Sequence, residues 1–283
     1  MNNSKQRQEK LTPEQKWEQA TLANNFIFYK VMRHHPDACQ YLIEMLLHLK
    51  IEKMEIHSEE VMDIDHDSKG IRLDVYVKDT NKMYDIELQT TDTKELPERA
   101  RYYQDVMDLS SLNKGDFYKD LKDSYVIFLC LEDIFNKGLP VYTFENICRE
   151  DLKTRLNDRT QKCFFIADIC AKIIEDEEIR SFFVFLISNK ANSKYTKDLN
   201  EYVIDAKHNT QWRVQYMTWE RQQAYAFENG RIEGISVGKQ EKAMEDAISF
   251  YKNGASIELI AKSLDMTIEQ VKQIVSDSET VEQ

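Results

Sequence analysis

The sequence predicts an α/β fold: helix, three strands, helix and strand around a mixed sheet, followed by a mainly helical C-terminal region. Three observations predict it. Residues 71–89, IRLDVYVKDTNKMYDIELQ, alternate apolar and polar positions on either side of a short polar turn, as two half-buried strands of a hairpin do. Residues 124–131, SYVIFLCL, are a continuous apolar run of strand length, the mark of a strand buried on both faces. Between them, Leu96, Ala100, Tyr103 and Met107 recur at helical spacing in a stretch that Pro97 opens and Gly115 closes.

Taken in order, residues 1 to about 16 read as a polar leader. FIFYKVM (26–32) runs to a stop at Pro36, and DACQYLIEMLLHLKI (37–51) then places Ala38, Leu42, Met45 and Leu49 on one helical stripe with Glu44 beside it. A strand is expected within 54–64, then hairpin strands at 71–78 and 83–89. On the following helix, Arg99 and Tyr102 fall on a face adjoining the stripe that meets the sheet. Beyond about residue 160, KCFFIADI offers one more strand, and helices are expected at 176–189, 194–208 and 211–251. The last contains ENGRIEGISVG, whose three glycines suggest a hinge. In GASIELIAKSLDMTIEQVKQIV (254–275), Ile260, Leu264, Met266, Val271 and Ile274 surround Ala261 at helix-turn-helix spacing, with Asp265 where that turn usually carries Gly. The expected division is a core at 17–160, a helical extension at 161–251 and the helix-turn-helix-like segment at 252–283.

Composition narrows the function. With 42 % hydrophobic residues and only 7 Gly and 4 Pro in 283, the chain can bury a real core. A net charge of -12 excludes a cationic coat for nucleic acid but not an enzyme with local basic groups. Five Cys without a C-x-x-C pair suit reduced thiols better than a zinc site. The N-terminus lacks a signal-peptide core and the apolar runs are too short to span a bilayer, so a cytoplasmic protein with no membrane partner is expected. No H-x-x-x-H pair, P-loop or G-x-S-x-G elbow is present, and no organic cofactor site is expected.

The hairpin gathers carboxylates. If its turn is symmetric about Thr80-Asn81, paired residue numbers sum to 161, and Asp74 lies opposite Glu87 with Arg72 opposite Gln89. Opposed side chains have Cβ atoms about 4.5–5.5 Å apart, and like charges there repel. Two such carboxylates need a shared proton or a cation. A hard divalent ion suits two carboxylates and an amide, and Mg²⁺ takes few protein ligands beside water and phosphate. Arg72 offers the alternative neutralisation, and an ordinary amphipathic hairpin with a wet, salt-bridged outer face carries the same pattern.

The order D-x(12)-E-x-Q after a helix, followed by LPERARYYQDVMD, LNKGDFYKDL, SYVIFLC and YTFENIC, resembles the PD-(D/E)XK nuclease superfamily and, within it, the Rpn family of recombination-promoting nucleases and transposases. The likeness covers about residues 24–148. It implies a restriction-endonuclease-like αβββαβ core and a metal-dependent DNA endonuclease using Mg²⁺, with Mn²⁺ as substitute. By the resemblance Asp74 and Glu87 hold the metal and Gln89, standing where the family name has Lys, positions water. Glu44 completes the metal site, Arg99 and Tyr102 hold a DNA phosphate, and Arg101 and Lys94 add backbone contacts.

The competing reading is a nuclease fold with weak or no catalysis that regulates by binding DNA or protein; Gln for Lys and the acidic balance favour it. The second helix of the C-terminal motif carries Lys272 beside Glu269, thin for a major groove, so self-association is expected there, and double-strand cutting would favour a homodimer.

Overall fold

The computed structural model describes residues 11–57, 61–62, 71–72, 75–91 and 93–281. They fall into two compact units, Met1–Tyr216 and Met217–Gln283.

The first unit runs α1 (Pro13–Gln19), α2 (Asn25–His34), α3 (Pro36–Leu47), β1 (Glu55–His57), β2 (Val61–Met62), β3 (Ile71–Arg72), β4 (Val75–Lys78), β5 (Lys82–Gln89) and α4 (Leu96–Ser111). It continues with a 3-10 turn, β6 (Asp123–Cys130), β7 (Val141–Phe144), β8 (Thr160–Ile166), α5 (Ala167–Ile173), α6 (Glu177–Ser188) and α7 (Lys194–His208). Among the described residues the main sheet has six strands in the order β1-β4-β5-β6-β8-β7, while β2 and β3 form a separate pair. It is mixed: β5, β6 and β8 are parallel, and β1, β4 and β7 join antiparallel. This is the α/β core expected from the sequence.

The hairpin has the predicted register: Val75 pairs with Ile86, Tyr76 with Asp85, Val77 with Tyr84 and Lys78 with Met83. Its turn is set by Asp79, whose N–H reaches the Lys82 carbonyl at 2.9 Å and whose Oδ1 accepts from the backbone N–H of Thr80 and Lys53. Residues 71–72, expected to continue the hairpin, pair instead with 61–62. Asp74 and its pairing with Glu87 lie outside the described residues.

α4 covers one face of the sheet, burying Met83, Ala100, Met107, Val126, Phe128 and Phe164 together. The opposite face packs against α2, and Phe165 stacks on Phe183 of α6 at 6.0 Å. The polar leader ends earlier than expected, because Thr12 caps α1 and Trp17 is buried, its indole N–H donating to the Lys207 carbonyl at 3.3 Å. β8 is the further strand that KCFFIADI offers, and it adds to the sheet beside β6. The edge strand β7 was not anticipated; four residues are too few to establish a period.

The long helix α8 (Thr210–Lys252) starts in the first unit and ends in the second. It is helical through Gly230, Gly234 and Gly238, the three positions from which the sequence suggests a hinge. Each glycine costs a helix about 1 kcal/mol relative to Ala, and neighbouring pairs such as Glu228–Arg231 offset part of that. In the second unit α9 (Ile257–Leu264) and α10 (Ile268–Val281) close over Ala247, Ile260, Ala261, Val271 and Val275. Asp265 ends α9 in the left-handed conformation, φ +53°, which Gly usually supplies and Asp tolerates. No helix among the described residues is long and apolar enough to cross a membrane.

Candidate active site

Alternation along β5 sends Asp85, Glu87 and Gln89 to one face of the sheet. That face is not the wet one the alternation suggested. Asp85, Glu87 and Gln89 are 0 %, 3 % and 8 % exposed. β5 is an interior strand, flanked by β4 and β6, and α4 lies over this face. The solvated, salt-bridged hairpin is therefore corrected to a row of acidic and amide side chains enclosed in the fold. In the parallel register Glu87 sits beside Phe128 and Gln89 beside Cys130, so their neighbours on β6 are apolar.

Arg99 comes down onto this row from the first turns of α4. Its Nη1 donates to Gln89 Oε1 at 2.9 Å, and its Nη2 to Glu87 Oε2 at 3.3 Å and to the Tyr103 hydroxyl at 3.0 Å. The guanidinium also lies 5.4 Å from the Tyr103 ring centre and 5.9 Å from that of Phe128. The Gln89 amide N–H₂ donates to the Thr91 carbonyl, which fixes its oxygen toward Arg99. Burial, then the charge of Glu87, pushes the Tyr103 phenol up to about 12 against the opposing hydrogen bond from Arg99, so it stays neutral. Arg99 thus faces the sheet with Tyr103, four residues on, and not the adjoining face with Tyr102.

The other predicted site residues are dispersed. Tyr102 is half-buried against the core beneath α4, while Arg101 and Lys94 are exposed, Lys94 with φ +63°. Glu44 is not gathered with Glu87. Its Oε1 accepts from Gln40 at 3.0 Å and from the Ile51 backbone N–H at 2.9 Å, and its Oε2 from Lys50 at 2.7 Å. Its charge is felt at Tyr84, on the opposite face of β5 from Glu87. Burial raises its pKa, but the hydrogen bonds from Ile51, Lys50 and Gln40 outweigh burial and the net shift is downward. A carboxylate with a lowered pKa stabilises the fold above the ordinary glutamate range, and that contribution is lost as pH falls through the lowered value. Glu44→Ala is accordingly expected to cost about 1–3 kcal/mol in urea unfolding at neutral pH while leaving Glu87 and Arg99 in place.

Among the described residues no three His, Cys, Asp or Glu side chains come together as a metal-binding group. Glu87 and Gln89 nevertheless offer adjoining hard oxygen donors, the kind that Mg²⁺ takes in ones and twos. The sequence reading missed Tyr103 as part of the site. Its signal was the i, i+4 spacing from Arg99, which puts both on one helical face, but an apolar stripe explained the Tyr equally well.

A family model described as a PD-(D/E)XK nuclease family transposase matches residues 24–231, from α2 into the first half of α8. Neither the curated proteins nor the solved structures give a match. The matched span takes in the whole mixed sheet, the buried Glu-x-Gln of β5 and the arginine of α4 that meets it. The chain belongs to the PD-(D/E)XK nuclease family transposases.

Proposed function

We propose that this protein is a divalent-cation-dependent DNA endonuclease of the transposase type. The observation that carries the reading is the enclosed Glu87-x-Gln89 pair on β5 with Arg99 set against it. The register of β4 with β5, Val75 to Ile86 through Lys78 to Met83, is the one the sequence predicts and supports it further.

On this reading Asp74 and Glu87 would hold the cation, Mg²⁺ or Mn²⁺. The chemistry that such an ion supplies when bound is Lewis-acid stabilisation of phosphate charge and a lowered pKa for coordinated water. Gln89, neutral where Lys would be charged, orients water or a phosphate oxygen by hydrogen bonding alone. Arg99 presents a planar fork of donors suited to a DNA phosphate, and exposed Arg101 and Lys94 add sequence-independent backbone contacts. α4 and the apolar flank of β6 keep bulk water from the carboxylates, which strengthens each charge interaction there.

Supercoiled-plasmid cleavage tests the proposal. Nicking or linearisation is expected with Mg²⁺ or Mn²⁺, its loss with EDTA, and its loss in Asp74→Ala and Glu87→Ala. If both variants cut like the parent, the proposal fails. One observation favours a second reading, a DNA- or protein-binding regulator: the Arg99 guanidinium lies 3.3 Å from Glu87 Oε2 and supplies it with an opposite charge. DNA retention with no cleavage under either cation would support that reading instead.

A further inference from the structure

Arg99 cannot serve Glu87 and a substrate phosphate in full at the same time. Two of its nitrogens are engaged with Glu87 Oε2 at 3.3 Å and Gln89 Oε1 at 2.9 Å. Those are oxygens of the very side chains that the proposed function turns toward a divalent cation and its water. A dication brought to Glu87 would meet a guanidinium already there, in surroundings where the Glu87 side chain is only 4 % exposed and charges are poorly screened. The two cations therefore compete for Glu87 Oε2.

The geometry also shows which can move. The Arg99 side chain is 30 % exposed, so its long stem has a way out toward solvent, whereas Glu87 is fixed on an interior strand. Tyr103 defines the resting place. Its phenol accepts from Nη2 at 3.0 Å and its ring, stacked on Phe128 at 6.3 Å, is held by the core.

We infer that Arg99 is an exchangeable counterion: it neutralises Glu87 in the metal-free protein and is displaced by the cation, freeing its donor fork for the DNA phosphate. This rests on the reading of Glu87 as a metal ligand. Asp85, fully buried two positions earlier on the same face, places a second carboxyl side chain in the row. Linkage then makes the coupling reciprocal: a phosphate that holds Arg99 away tightens the cation, and the cation that expels Arg99 tightens the phosphate. The site therefore assembles fully only when substrate is present.

The test is Mn²⁺ binding to the full-length, DNA-free protein at pH 8, read from the electron paramagnetic resonance signal of free Mn²⁺. The proteins compared are the parent, Arg99→Gln and Tyr103→Phe, each with and without Glu87→Gln, with folding checked by circular dichroism. Arg99→Gln keeps a donor but removes the charge, and Mn²⁺ affinity is expected to rise by about 5–150-fold, the usual span of such couplings. Tyr103→Phe is expected to shift affinity in the same direction by less, and both gains vanish in the Glu87→Gln background. At saturating Mn²⁺, Arg99→Gln cleaves plasmid more slowly than the parent, so affinity and turnover move in opposite directions. Unchanged or weaker Mn²⁺ binding by folded Arg99→Gln overturns the exchange. Should that variant not fold, an unchanged affinity in Tyr103→Phe does so. If Glu87→Gln alone leaves Mn²⁺ binding untouched, the failure lies in the metal reading beneath the inference.

Discussion

Glu87→Gln is expected to lower plasmid cleavage by about 10³-fold or more while the protein remains folded. The change preserves shape and one carbonyl oxygen but removes the charge that would hold a divalent cation. Loss of several kcal/mol of transition-state stabilisation corresponds to that factor, since each 1.36 kcal/mol is tenfold in rate. The structural cost is smaller. Arg99 loses a charged partner but keeps Gln89 and Tyr103, and its 30 % exposure lets water take up part of the deficit. A decrease of about 1–3 kcal/mol in unfolding free energy is expected. Plasmid cleavage and urea unfolding, measured together, separate the two effects; retained cleavage would remove Glu87 from the mechanism.

Phe128→Ala is expected to produce the largest loss of stability, about 3–5 kcal/mol. Phe128 is fully buried on the central strand β6, stacked 5.2 Å from Phe164 with nearly parallel rings and 6.3 Å from Tyr103. Truncation removes that area and leaves a cavity between α4 and the sheet, in a layer of large rings that cannot close over it. The same cavity withdraws support from Tyr103 and so from Arg99. Cleavage by the folded fraction should therefore fall as well, through a misplaced Arg99. A urea midpoint within experimental scatter of the parent would show that this layer does not anchor α4.

Some of the molecule could be read from residue order because local physics carried it. The hairpin register followed from a symmetric turn at Thr80-Asn81, and Asp79 enforces that turn with its own backbone and side chain. β6 followed from eight residues of mostly apolar sequence, and α3, α6 and α7 from helical spacing with local stops such as the left-handed His48 and Asn189. The long α8 followed as well, as one helix over about 211–251 despite its three glycines, because a glycine lowers helix propensity without breaking the helix.

Period-2 alternation establishes that Asp85, Glu87 and Gln89 share a face, but the same pattern is written by a wet face and by one roofed over by a helix. Spacing places Arg99 near the sheet, yet whether it meets a phosphate, Tyr102 or Glu87 depends on how α4 is rotated above β5, which packing against Met83, Val126 and Phe128 decides. Glu44 lay beside the right stripe and was claimed by the backbone of Ile51, seven residues away, once α3 ended. The order of residues by itself determined the hairpin of β4 and β5 with its register, the buried strand β6 and the family to which the chain belongs. Only the tertiary structure decided which charges are sheltered and which cation rests on them, because burial and counterion choice depend on long-range packing that no local pattern encodes.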